Sequence, residues 1–81
     1  MQLSNMRQGQ SGVISKVGGE GLFRRRLLEM GFLKGKSLYV EKYAPLKDPL
    51  EVNLDGCHIS LRVEEADKIT MENVSEAPPK R

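Results

Sequence analysis

The sharpest pattern in the chain is an alternation interrupted by a two-residue step. Leu50, Val52 and Leu54 alternate with Glu51 and Asn53, Asp55-Gly56 intervenes, and Cys57, Ile59 and Leu61 then alternate with His58 and Ser60. Period-two alternation marks half-buried strands, and Asp-Gly suits a type I′ hairpin turn, whose two central residues both need positive φ. The register follows from the turn. Leu54 opposes Cys57, Val52 opposes Ile59 and Leu50 opposes Leu61, so these side chains share one inward face, while Asn53 and His58 point to solvent.

Upstream, residues 11–17 read as a strand with Val13, Ser15 and Val17 on one face and Ile14 and Lys16 on the other. Gly18-Gly19-Glu20-Gly21 breaks that pattern. Residues 22–30 take a helical period, with Phe23, Leu27 and Met30 at i, i+4 and i+7 on one stripe and Arg24, Arg25 and Glu29 off it. Leu28 sits more than a quarter-turn from the stripe, so it is either covered by a neighbouring loop or exposed. Gly31 is a helix stop and Gly35 a turn that opens the next strand, residues 37–43, where Leu38 and Val40 alternate with Tyr39, Glu41 and Tyr43. Two X-Pro steps, Ala44-Pro45 and Asp48-Pro49, predict a fixed-shape bridge into the hairpin.

After the hairpin, residues 63–67 predict a turn and residues 68–72 a last strand with Ile69 and Met71 inward. Residues 75–81 are polar and rich in Pro, which predicts a disordered tail behind a single domain spanning residues 1–74. Five short strands with one inserted helix cannot bury one face of a flat sheet and must curl. The expected class is mainly all-β, a small five-stranded SH3-like barrel with one inserted short helix.

Composition narrows the functional classes. With 81 residues there is room for one small domain and no deep catalytic cleft. A single cysteine excludes an internal disulfide, no signal-peptide pattern opens the chain, and no apolar run approaches the roughly 18 residues of a membrane span, so the expected setting is cytoplasmic without direct membrane insertion. Charge is uneven: residues 1–47 carry nine Lys/Arg against three Asp/Glu, and residues 48–81 carry four against eight. A surface so divided can orient a partner.

Candidate chemistry is sparse. Cys57 and His58 are adjacent on a strand and point to opposite faces, so they cannot close on one ion; Cys57 reads as a small core residue and His58 as a surface residue. A surface site of His58 with Glu51 or Asp55 is a weak alternative, and Glu64, Glu65 and Asp67 read as solvated charges. No phosphate loop and no Cys-His nucleophile is present, so no catalytic residue, no metal ligand and no cofactor is assigned, and the chain reads as a non-enzyme. Arg24-Arg25-Arg26 is basic, but with two Tyr and two Phe the chain is thinly equipped for stacking on bases, and nucleic acid is not an expected partner.

Three blocks carry a family resemblance: Arg26-Leu27 with Met30-Gly31 and Gly35; Ala44-Pro45-Leu46 with Asp48-Pro49; and Leu61-Arg62 with Glu64-Glu65-Ala66. Together they resemble the FeoA family of ferrous iron transport proteins over about residues 3–72, with Lys34 and Lys47 standing where the family often has Pro and Gly. The resemblance implies a cytoplasmic accessory of ferrous iron uptake that docks on FeoB, a membrane transporter with a cytoplasmic GTP-binding region. An alternative is a stand-alone metal-sensing domain related to the C-terminal domain of iron- or manganese-dependent repressors. The misplaced Leu28 beside two arginines points to a partner-binding surface of Arg24, Arg25, Leu28, Phe32 and Leu33, since an apolar anchor ringed by charge suits an interface.

Overall fold

The computed structural model describes residues 1–43 and 48–76. Its elements run β1 (Ser11–Val17), α1 (Gly21–Glu29), β2 (Ser37–Lys42), β3 (Leu50–Leu54), β4 (Cys57–Leu61), α2 (Val63–Ala66) and β5 (Ile69–Ser75), after a 3-10 turn at Leu3–Asn5. The strands form one antiparallel sheet in the order β4-β3-β2-β1-β5. Because β4 and β5 are the outermost strands, the short link through α2 carries the chain from one edge to the other, which suits a sheet rolled toward a barrel. Among the described residues no helix is long and apolar enough to cross a membrane.

The hairpin follows its sequence. Leu54 pairs with Cys57, Val52 with Ile59 and Leu50 with Leu61, around Asp55 and Gly56 at φ 51° and 92°. Burial departs from expectation on one side. Leu50, Val52, Leu54 and Leu61 are in the core, but Ile59 is half-buried and Cys57 is exposed, correcting its reading as a core residue. The cause is position: β4 is an edge strand with only β3 beside it, so Cys57 and Ile59 are covered from one side, while Leu61 at its end is buried.

Strand β1 also departs from its simple alternation. Ile14 and Val17 are both buried although they lie three residues apart. Ile14 pairs with Met71 and Lys16 with Thr70, so one extra residue is inserted on β1 and the phase of the side chains flips there. The Ser15 hydroxyl donates to the Thr70 carbonyl at 3.1 Å across this bulge. A second irregularity lies opposite Ser11 and Val13, where β5 holds Asn73 at φ 53°. Strand β5 therefore runs on to Ser75, beyond the expected end, and Gln10 and Arg7 both hold the Glu76 carboxylate, at 2.7 and 3.3 Å. Ser75 and Glu76, the first residues of the expected tail, are thus held in the fold; its remaining residues 77–81, like residues 44–47 of the expected proline bridge, lie outside the described residues.

Helix α1 ends in a hydrogen-bonded glycine cap. The Gly31 amide donates to the Leu28 carbonyl at 3.0 Å and the Phe32 amide to the Leu27 carbonyl at 3.1 Å, with Gly31 at φ 105°. In this Schellman arrangement the residue after the glycine packs on the helix's last turn, and Leu27 and Phe32 are indeed both fully buried. The expected turn at 63–67 is the short helix α2. Its Glu65 carboxylate is 5% exposed, accepts the Arg62 amide at 2.8 Å and meets Arg26 Nη1 at 3.5 Å, tying α2 to α1.

Candidate docking surface

The sequence-chosen surface divides once its residues are placed. Phe32 is fully buried, so it is withdrawn from the surface: the helix cap folds its ring into the core. Arg25 is exposed and lies 3.4 Å from Glu29, one helical turn on. Leu33 is 42% exposed in the turn after the cap. Arg24 and Leu28 come together with residues of β1.

They do so in an open groove of about 620 Å3 lined by Ser15, Lys16, Val17, Gly18, Gly19, Arg24, Leu28 and Lys34. Arg24 Nε donates to the Val17 carbonyl at 3.1 Å, which fixes the guanidinium across the seam between α1 and β1. Leu28, off the helix stripe, is half-buried: it packs on the core from one side and lines the groove with the rest. Lys16 and Lys34 were missed by sequence reasoning. Lys16 follows the β1 bulge, and the bulge was invisible in the alternation; Lys34 belongs to a glycine-flanked turn whose direction depends on the cap at Gly31.

The amino-terminal half of α1 leaves its large apolar side chains exposed. Phe23 was expected on the inward stripe but is 37% exposed, and Leu22 is 81% exposed. A Cβ on Gly19 would sit 2.9 Å from Phe23 Cδ1, so the ring rests over the bare glycine, which also holds φ 89°. The ring, Gly19, Glu20 and Lys68 line a second, shallow depression of about 420 Å3.

Carboxylates and soft ligands are dispersed. His58 Nδ1 lies 2.6 Å from the carboxylate of Glu41 on β2, and not beside Glu51 or Asp55, the weak alternative considered from the sequence. Asp55 pairs with Lys36 at 3.3 Å, Asp67 accepts the Ser4 hydroxyl at 2.9 Å, and Glu65 is held by Arg62 and Arg26. Among the described residues no group of three or more His, Cys, Asp or Glu side chains is placed to hold a metal ion.

Comparison with known proteins fits this small barrel. The chain is 45% identical over 75 residues to a fusion of Fe(2+) transport protein A with the Fe(2+) transporter FeoB from Porphyromonas gingivalis; the match takes in 93% of this chain and 9% of that much longer protein. The solution structure of FeoA from Chlorobium tepidum is 39% identical, with a TM-score of 0.78 over 88% of this chain and 68% of that one. The zinc-complexed FeoA of Stenotrophomonas maltophilia, characterised as a prokaryotic SH3 domain protein, is 27% identical with a TM-score of 0.83, over 95% of this chain and 99% of that one. A manganese-dependent transcriptional repressor shares the fold at 20% identity, with a TM-score of 0.81 over 88% of this chain and 35% of the repressor. The FeoA domain model matches residues 1–73, and the chain belongs to the FeoA family.

Proposed function

We propose that this chain is a non-enzymatic cytoplasmic accessory of ferrous iron uptake that docks on the cytoplasmic GTP-binding region of a FeoB-type transporter and modulates it. The observation that carries the reading is the fused relative, in which a region 45% identical to this chain is joined to the transporter in one polypeptide. Joining two modules raises their effective concentration toward the millimolar range, so a weak contact suffices within the fusion. The surface suited to it is Arg24, Arg25, Leu28 and Leu33, on α1 and the turn after it, since these combine exposed positive charge with apolar side chains that are not fully covered.

The test is co-purification of the tagged full chain with the transporter, and ferrous uptake by a strain whose only copy carries Leu28→Asp with Arg24→Ala. Retention by the transporter, and loss of uptake in the variant at unchanged melting temperature, are the expected results. A transporter that fails to retain the wild-type chain contradicts the reading. Calorimetry with Fe2+ separates it from metal sensing, because a tight stoichiometric complex abolished by His58→Ala belongs to a sensor.

A further inference from the structure

We infer that the groove between β1 and α1 receives an acidic segment of the docking partner, with Lys16, Arg24 and Lys34 on its carboxylates and Leu28 beneath one of its apolar side chains. This rests on the docking reading above and gives the partner's chemistry. Three cations line the groove and no Asp or Glu lines it. Three other cations are paired within the fold: Arg25 with Glu29, Arg26 with Glu65 and Lys36 with Asp55. Among the described residues, Lys16 and Lys34 make no ion pair, and Arg24 bonds to a neutral carbonyl. Like charges gathered around one groove repel each other, and an entering anion relieves that repulsion while fixing the partner's register.

Two features favour a peptide over phosphate or nucleic acid. Leu28 gives the groove an apolar floor, and Leu33, 42% exposed, adjoins Lys34 in the chain. No aromatic ring lines the groove for a base to stack on, and the nearby Phe23 ring is laid over Gly19. A segment with carboxylates flanking an apolar side chain matches both the charge and the floor.

The test treats the full chain, mixed with the detergent-solubilised transporter, with a carbodiimide that condenses an amine with a carboxylate into an amide with loss of water, followed by peptide mass spectrometry. Expected are links from Lys16 or Lys34 to Asp or Glu of the transporter. Lys16→Glu with Lys34→Glu is expected to weaken binding about tenfold or more, and Lys16→Arg with Lys34→Arg to retain it, because charge and not shape is recognised. Links confined to other lysines, or undiminished binding by the Glu variant, remove the groove while leaving docking intact. Failure of the wild-type chain to bind removes the docking reading and this inference with it. Tighter binding of a twenty-nucleotide oligothymidylate or of inorganic phosphate than of the transporter, lost in the same Glu variant, overturns the peptide assignment.

Discussion

The β3–β4 hairpin and the β1–α1 seam are built by different rules. In the hairpin a two-residue turn sets the register, and every pair from Leu54–Cys57 to Leu50–Leu61 falls where local chemistry puts it. At the seam, phase is set by a partner distant in sequence: Thr70 and Met71 of β5 decide that β1 carries an extra residue at Ser15. In the hairpin Asp55 pairs with Lys36 and His58 Nδ1 meets the Glu41 carboxylate, whereas among the described residues Lys16 and Lys34 stand around the groove without a carboxylate. The region most fully determined by its own sequence is thus the hairpin. The region that depends on tertiary pairing carries the uncompensated charge from which the docking proposal grows.

The largest effect expected on this contrast is at the hairpin. Val52→Asp removes about 1.5–3 kcal/mol of side-chain burial and forces a charge into the core, so the domain is expected to be unfolded by circular dichroism at 25 °C. Ile59→Asp, on the half-buried edge strand, is expected to lower the melting temperature with the fold retained. Equal damage from the two would deny the edge effect.

Next comes the link between the helices. Arg26→Ala leaves the buried Glu65 carboxylate with the Arg62 amide but without its cation, and a loss of about 1–3 kcal/mol by urea unfolding is expected. Gly31→Ala is expected to cost about 1–2 kcal/mol, through φ 105° and not through a clash, because the added Cβ would meet Leu54 only at 3.5 Å. The smallest effect is at Glu76, whose pKa is lowered by the Gln10 hydrogen bond first and by Arg7 after it. A carboxylate with a depressed folded pKa stabilises the fold above its unfolded value and loses that contribution as pH falls through the folded one. A slight loosening of the β5 end on acidification below the ordinary carboxylate range, seen as faster amide exchange at Ser75 and Glu76, is the expected signature.

Legibility in the sequence followed the same division. Glycine and turn chemistry announced the helix stop at Gly31 and the hairpin at Asp55-Gly56, because each needs a backbone conformation few residues adopt. Alternation placed Leu38, Val40, Ile69 and Met71 correctly in the core. It failed at Ile14 and Val17, since a bulge leaves no mark in a strand read alone, and at Cys57, since period two assigns a face but not its cover. Phe32 was misplaced for a related reason: next to Leu33 in a turn it looked available, and only the cap geometry turns it inward. Arg24 and Leu28 were recovered for the groove by their positions on the helix, while Lys16 and Lys34 required the bulge and the cap to be known.

The docking proposed above runs through the seam and not through the hairpin. The most direct measurement compares the affinity for the transporter's cytoplasmic region of the wild-type chain, of Lys16→Glu with Lys34→Glu, and of the hairpin-face variant Glu51→Lys with His58→Ala, each checked for an unchanged melt. About a tenfold or greater loss is expected for the seam variant, and wild-type affinity for the hairpin variant. Loss at the hairpin with the seam variant unaffected would contradict docking through the seam.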